Sequence, residues 1–218
     1  SSIDLSYIAL RRIIGVLGIM LPYVCMIGGC AAAHIGVQES ISDYYYTNMR
    51  DFFVGLMFLV GLFLLTYKGY DLLDSITTSV TGVFGLGIAL FPCRSAAAPA
   101  HVGILQLEPH VSGILHLACA GTFFTLLGLT SIFLFTKTGG TKPSPRKLMR
   151  NRIYIVCGIV IIASVAGIIA SDRLLSDEIL QKYKPILGCE AVALSAFGIS
   201  WLIKGKTLFS DEERKRRK

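Results

Sequence analysis

Two ionisable residues lie inside long apolar stretches of this sequence, where a charged or polar side chain is costly. His116 lies four residues after Ser112 in one apolar run, and Glu190 lies five residues after Pro185 in another. Ionisable residues in such positions usually serve a function. Both runs are predicted to enter the membrane from the same face, so the two side chains are expected at a similar shallow depth and within reach of each other.

Three more residues of suitable chemistry lie near the same predicted face. Arg50 and Asp51 are adjacent at the start of another apolar run, and His110 precedes the run that carries His116. A guanidinium with carboxylates and imidazoles can bind a small polar solute or a lipid headgroup. The sequence therefore predicts an outward-facing pocket that binds this ligand, with transport of the ligand as a variant of the same hypothesis. The pocket has this lining: Arg50, Asp51, His110, His116 and Glu190.

The same side chains also permit enzymatic alternatives. Imidazole and carboxylate groups bind zinc or another divalent metal, and an open coordination position would allow hydrolysis of a lipid. The candidate ligands are Asp51, His110, His116 and Glu190. The dense pattern H-E-x-x-H is absent, and we predict binding without a metal or another cofactor as the leading hypothesis.

A serine nucleophile is a further alternative, since Ser112 and His116 are four residues apart and would share a helix face. Ser112 is equally suited to begin that helix, and the sequence fixes no carboxylate that would orient the imidazole. We assign no catalytic residues from the sequence. A structural subunit of a larger membrane complex, in which the pocket residues only pair with each other, is the third hypothesis.

The composition excludes an ordinary soluble fold. Apolar residues make up 53% of the 218 residues and charged residues only 16%, which is too apolar for a soluble domain. The net charge of +7 is compatible with nucleic-acid binding, but a basic patch of that kind accompanies a soluble core. Membrane lipids, rather than nucleic acid, are the expected surroundings.

Six apolar runs predict an all-α integral membrane protein, a bundle of six transmembrane helices. The runs are residues 13–33, 49–67, 75–92, 112–136, 153–170 and 185–203. The second run is the shortest uncharged one and depends on tyrosines at its ends, which suit the membrane interfaces. We expect residues 1–209 to form the transmembrane domain, residues 210–218 a basic tail, and residues 176–183 a short surface helix.

Basic residues predict the orientation of the helices. Sixteen of the 21 Lys and Arg residues lie before the first run, in every second loop or after the last run. Positively charged loops stay in the cytoplasm, so the N-terminus and the C-terminus are both predicted there. The loop at residues 141–152 is the most basic of these. We expect the six cysteines to be mostly buried free thiols, with Cys93 near the outer face and open to oxidation with Cys30 or Cys189.

Three stretches carry a resemblance to known proteins: YTNMRDFFVG at residues 46–55, YKGYD at 67–71 and FGISWLIKG at 197–205. They resemble a group of uncharacterised bacterial inner-membrane proteins with six helices and, more distantly, the DRAM/Sfk-like membrane proteins. The resemblance implies a multi-pass protein of the bacterial inner (plasma) membrane and implies no chemistry. The seven-helix superfamily of alkaline ceramidases also has histidines and acids near one membrane face, but its H-x-x-x-H pair is absent here.

Overall fold

A computed structural model describes residues 2–69, 71–138 and 143–205, and within these ranges the protein is all-α, without a β-strand. The helices are α1 (Ser2–Ala33), α2 (Arg50–Thr66), α3 (Leu72–Leu90), α4 (Pro109–Leu129), α5 (Pro145–Leu174), α6 (Asp177–Tyr183) and α7 (Pro185–Lys204). A 3-10 helix at Ser42–Tyr46 follows α1, and a π-helical turn at Thr130–Leu134 continues α4. The predicted tail at 210–218 lies outside the described residues.

The six long helices pack side by side in a ring. Each contacts its neighbour in chain order, from α1 to α5, then α5 contacts α7, and α7 returns to α1. The short helix α6 has no buried residue and joins α5 to α7 at the surface, which confirms the surface helix predicted at 176–183. The ring places the loops and the helix ends at two opposite ends of the bundle.

Five helical segments are long and apolar enough to cross a membrane: α1, α3, α4 with its π turn, α5 and α7. The outward faces of these helices carry large exposed apolar side chains, among them Val83, Leu117, Phe133 and Val156. Exposed apolar surface of this extent is typical of helices that contact lipid. The fold is therefore the helical bundle of an integral membrane protein. The remaining long helix, α2, has 17 residues.

The two ends of the ring differ in chemistry. One end, which we name the basic end, carries Arg11, Lys137, Lys147 and Lys204 around the buried Trp201. The rings of Tyr67 and Phe135 meet the Trp201 ring edge to face, with centroids 5.1 and 5.3 Å away. The opposite end, named the loop end, holds the α1–α2 and α3–α4 connections. Aromatic rings thus close the core at the basic end, with cations around them.

An ion-pair cluster links α3 to the segment after α4 at the basic end. The Nζ of Lys137 lies 2.7 Å from a carboxylate oxygen of Asp71 and 2.6 Å from one of Asp74. The hydrogen bond from Lys137 lowers the pKa of Asp71, and the same bond raises the pKa of Lys137. Asp71 also caps α3 by accepting a hydrogen bond from the amide of Asp74.

Several helices begin earlier than predicted: α1 begins at Ser2 rather than at residue 13, and α3 begins at Leu72 rather than at residue 75. Two further differences concern α5 and α4. Residues 145–152, expected in a basic loop, form the first two turns of α5, because Pro145 occupies the first helical position and Ser144 accepts a hydrogen bond from the amide of Lys147. The fourth helix begins at Pro109 rather than at Ser112, which is buried inside α4. Long basic side chains keep their charges in water while their stems extend along a helix, so charge density alone does not mark a loop.

Facing glycines bring neighbouring helices into close contact at three places in the ring. A Cβ added at Gly15 of α1 would lie 2.7 Å from the carbonyl oxygen of Gly198 in α7. A Cβ at Gly82 would lie 2.6 Å from the oxygen of Gly61, and one at Gly158 would lie 2.7 Å from the oxygen of Gly128. These neighbours are backbone atoms, so the helices must separate to admit any side chain.

We expect Gly198→Ala to destabilise the ring and Gly188→Ala, on the same helix, to leave its stability unchanged or higher. A Cβ at Gly198 would collide with the backbone of α1, whereas no atom lies within 4 Å of a Cβ at Gly188. Overpacking of this kind typically costs about 1–3 kcal/mol. The free energy of unfolding in a dodecyl sulfate titration measures the difference, and equal effects of the two substitutions would contradict the close contact.

Candidate functional site

The α1–α2 connection folds into the loop end of the ring instead of passing over its surface. Within it, residues 39–46, which we name the inserted segment, carry four buried residues: Ile41, Ser42, Tyr44 and Tyr45. The 3-10 helix Ser42–Tyr46 forms its second half. Backbone that is buried in this way needs hydrogen-bond partners from the surrounding helices, and the polar residues of the site supply them.

Helix α7 holds the start of the inserted segment. The amide of Ile41 donates a hydrogen bond of 2.5 Å to the Oε2 atom of Glu190. In the opposite direction, the amide of Leu187 in the first turn of α7 donates to the carbonyl of Glu39 at 3.0 Å. The first amides of a helix have no partner within it, so this bond satisfies one of them. The Glu190 carboxylate, which is partly buried, thus acts as a hydrogen-bond acceptor that holds the backbone of the inserted segment.

Helix α4 holds the centre of the inserted segment through His116. The Nδ1 atom of His116 lies 2.7 Å from the carbonyl oxygen of Phe91, and the Nε2 atom lies 2.9 Å from the Oγ atom of Ser42. A carbonyl only accepts, so Nδ1 carries the proton, and Nε2 of the neutral ring accepts from the Ser42 hydroxyl. The exposed fractions are 6% for His116 and 8% for Ser42.

Asp43 completes the polar interior of the loop end. Its Oδ2 atom accepts hydrogen bonds from the amide and the hydroxyl of Ser40, at 3.1 and 2.8 Å. Its Oδ1 atom lies 3.6 Å from the Sγ atom of Cys93. Burial raises the pKa of the Cys93 thiol, and the charges of Asp43 and Glu190 raise it further. Cys93 is therefore a neutral thiol that donates to Asp43, and it is free, like the other five cysteines.

An open cleft lies beside this polar interior. It encloses about 340 Å³ and is lined by Tyr45, Tyr46, Thr47, Arg50, Pro99, His101, Val102, Gly103 and Gln106. A guanidinium nitrogen of Arg50 donates to the hydroxyl of Tyr45 at 2.7 Å, and the guanidinium carbon lies 4.4 Å from the centroid of that ring. No carboxylate among the described residues forms an ion pair with Arg50. The positive charge of Arg50 is therefore not balanced by an Asp or Glu side chain among the residues that line the cleft.

Tyr46 forms one wall of the cleft and ties it to the end of α3. Its hydroxyl donates to the carbonyl of Cys93 at 2.7 Å. Burial raises the pKa of Tyr46, so the hydroxyl keeps its proton and stays a donor. The adjacent residues Tyr45 and Tyr46 meet edge to face, with ring centroids 5.1 Å apart. The wall that faces the cleft is accordingly rigid and aromatic.

The structure places the five predicted site residues in three environments. His116 and Glu190 bind adjacent residues of the inserted segment, and Arg50 lies in the cleft. Asp51 and His110 are exposed at the starts of α2 and α4. The predicted pairing of Ser112 with His116 is wrong, because Ser112 donates to the carbonyl of Pro92 at 2.8 Å and both ring nitrogens of His116 have other partners.

The metal alternative has no assembled donor set. Across residues 2–69, 71–138 and 143–205, no three His, Cys, Asp or Glu side chains form a group that could hold a metal ion. Two of the four proposed ligands already have hydrogen-bond partners: His116 bonds to Ser42 and Phe91, and Glu190 bonds to Ile41. The chemistry of these donors is satisfied by hydrogen bonds within the protein.

Ser42 and Asp43 were not among the predicted site residues. A signal was present, since Ile41, Tyr44 and Tyr45 are large apolar residues within a polar loop. Loops are usually exposed and polar, so such residues indicate a buried connection. The hydrogen bond from His116 to the Phe91 carbonyl could not be predicted, because every residue has a backbone oxygen and the sequence does not show which one is used.

Comparison with known proteins gives no relative for this arrangement: no family model, no curated protein and no solved structure matches the chain.

We expect Glu190→Ala to release the inserted segment and Glu190→Gln to retain it. Alanine leaves the buried amide of Ile41 without an acceptor, which costs about 1–3 kcal/mol, while glutamine still presents a carbonyl oxygen. Hydrogen exchange in a peptide that covers residues 39–46 measures the release. Equal exchange rates in the two variants would contradict the role of Glu190 as the acceptor.

Proposed function

We propose that this protein binds a small anionic solute or an anionic lipid headgroup in the Arg50 cleft, at the outer face of the membrane. The observation that carries the proposal is the guanidinium of Arg50, which lies in an open cleft and forms no ion pair with a described carboxylate. An unbalanced arginine in a concave site attracts a carboxylate or a phosphate, and its planar fork can bind two oxygens at once.

The other walls of the cleft support a polar ligand of limited size. His101 and Gln106 offer hydrogen-bond donors, and the rings of Tyr45 and Tyr46 offer flat apolar surface. A volume of about 340 Å³ is at the lower limit of small-molecule sites. It suits a small solute or a single headgroup, while the acyl chains of a lipid would remain in the bilayer outside the cleft.

Six transmembrane helices with both termini in the cytoplasm are part of the same proposal. Helix α2 supports the sixth span, because Met49 packs at Gly28 at the loop end, while the hydroxyl of Tyr67 accepts a 3.0 Å hydrogen bond from Arg11 at the basic end. Its 17 residues rise about 25 Å, close to the hydrocarbon thickness of about 30 Å. The positive charges favour a cytoplasmic basic end. The resemblance implies the bacterial inner membrane.

The position of the termini tests the number of spans. With six spans, peptide tags added to the two ends of this chain lie on one side of the membrane, whereas five spans place them on opposite sides. We expect an impermeant protease to remove both tags in inverted vesicles and neither in right-side-out vesicles. Removal of one tag in each preparation would exclude α2 as a span.

We expect Arg50→Gln to weaken binding of glycerol 3-phosphate to the purified protein by at least about tenfold, because a charge-assisted pair contributes roughly 1.5–3 kcal/mol. Isothermal titration in mild detergent measures the affinity. Glycerol 3-phosphate represents both ligand sources, a free solute and a headgroup. Vesicles with phosphatidylglycerol then separate the two, since a headgroup site also binds the lipid.

Arg94→Gln is the matched control, since it removes the same charge from an exposed residue at the same end, outside the cleft. We expect it to leave the affinity within about twofold, the range of long-range charge effects in salt. Equal losses in the two variants would show general attraction by the basic protein. Absence of binding to the unaltered chain would contradict an anion site in the cleft.

A further inference from the structure

Ser42 and His116 form a buried hydrogen-bonded pair that ligand binding in the cleft does not use. Neither residue lines the cleft, although Ser42 shares a 3-10 helix with Tyr45 and Tyr46, which do. The Oγ–Nε2 distance of 2.9 Å is that of a hydroxyl and a base ready for proton transfer. The carbonyl of Phe91 fixes Nδ1 as the protonated nitrogen at 2.7 Å, so Nε2 faces Ser42 with its lone pair.

This arrangement contains the three parts of an activated serine. A nucleophile is paired with a base, and a third group holds the base in the tautomer that can accept a proton. The third group here is a backbone carbonyl, which cannot ionise and therefore orients the imidazole at any pH. The exposed fractions of Ser42 and His116 are 8% and 6%, and the low polarity around a buried pair strengthens its hydrogen bond.

We propose that Ser42 is a nucleophile, that His116 is its general base, and that the pair transfers the acyl group of an ester to water. In the first step the Oγ atom attacks the ester carbonyl carbon while its proton moves to Nε2 of His116. The bond from that carbon to the alcohol oxygen breaks, and the alcohol leaves with the proton from Nε2. Water then gives a proton to Nε2 and attacks the acyl-serine, and the Oγ atom leaves with that proton, which releases a carboxylic acid.

The position of the pair points to esters of membrane lipids. His116 lies seven residues after the start of α4 at Pro109, about 10 Å along the helix. In the six-span arrangement proposed above, with the start of α4 at the membrane surface, that depth is near the level of the lipid ester carbonyls. The side chains of Ile114, Leu115 and Leu117, on other faces of α4 than His116, are exposed and apolar, which is typical of a helix that contacts lipid.

Labelling with an alkyl fluorophosphonate tests the proposal on the full chain in mild detergent. An activated serine forms a P–O bond to this probe and releases fluoride, while its proton moves to the base. We expect one label per chain, located at Ser42 by mass spectrometry, and no label after unfolding in dodecyl sulfate. An unlabelled but folded chain, or a label on another residue, would overturn the assignment.

Three variants separate reactivity from stability. Ser42→Ala is expected to abolish labelling, and His116→Gln to slow it at least about 100-fold, because a general base typically contributes 10²- to 10⁴-fold. His116→Asn is the second test of the base if the glutamine variant does not fold. Ser112→Ala is the matched control, since it removes another buried hydroxyl from α4 that bonds only to Pro92. A normal labelling rate in folded His116→Gln would overturn the role of the base.

Hydrolysis of p-nitrophenyl butyrate extends the test from reactivity to turnover. We expect release of p-nitrophenol by the unaltered chain and by Ser112→Ala, with loss in Ser42→Ala. Anion binding is measured without this reaction, so the two proposals are tested independently. Absence of labelling and hydrolysis would leave the anion site in the cleft standing, and absence of anion binding would leave the nucleophile standing. A folded chain that neither reacts with the probe nor turns over the ester would leave the pair with a structural role only.

Discussion

Burial of a non-helical segment is the constraint on which the loop end depends. Within a membrane bundle, backbone amides and carbonyls outside helices have no water to bind, so the surrounding helices must provide partners. The amide of Ile41 donates a hydrogen bond to a carboxylate oxygen of Glu190, and the carbonyl of Glu39 accepts one from the amide of Leu187. The ionisable residues in the apolar runs of α4 and α7, His116 and Glu190, are thereby explained, since each one closes a hydrogen bond of the inserted segment.

Close helix contact sets the frame in which that segment is held. The glycine pairs Gly15–Gly198, Gly61–Gly82 and Gly128–Gly158 let backbones touch between α1 and α7, α2 and α3, and α4 and α5. At the basic end the interior is filled by aromatic rings around Trp201. At the loop end it is filled by hydroxyls, carboxylates and an imidazole. The two ends of one ring thus have different chemistry.

The 3-10 helix Ser42–Tyr46 connects the two proposed activities. It directs Tyr45 to the guanidinium of Arg50 in the cleft and Ser42 to the imidazole of His116 in the interior. Five residues therefore place an anion site beside a candidate nucleophile.

The sequence alone determined the apolar runs and the surface helix at 176–183, because length and hydropathy decide which segments leave water. It also drew attention to His116 and Glu190, which are ionisable residues within those runs. Ser112 was misread as a helix start, and residues 145–152 were misread as a loop, because caps and long basic stems depend on local geometry. Only the tertiary structure decided that His116 pairs with Ser42, that Glu190 holds the amide of Ile41, and that Arg50 lies in a cleft. Ser42 and His116 are 74 positions apart, Ile41 and Glu190 are 149 apart, and the cleft joins residues of two different loops. These partners are therefore set by how the ring closes and not by spacing along the chain.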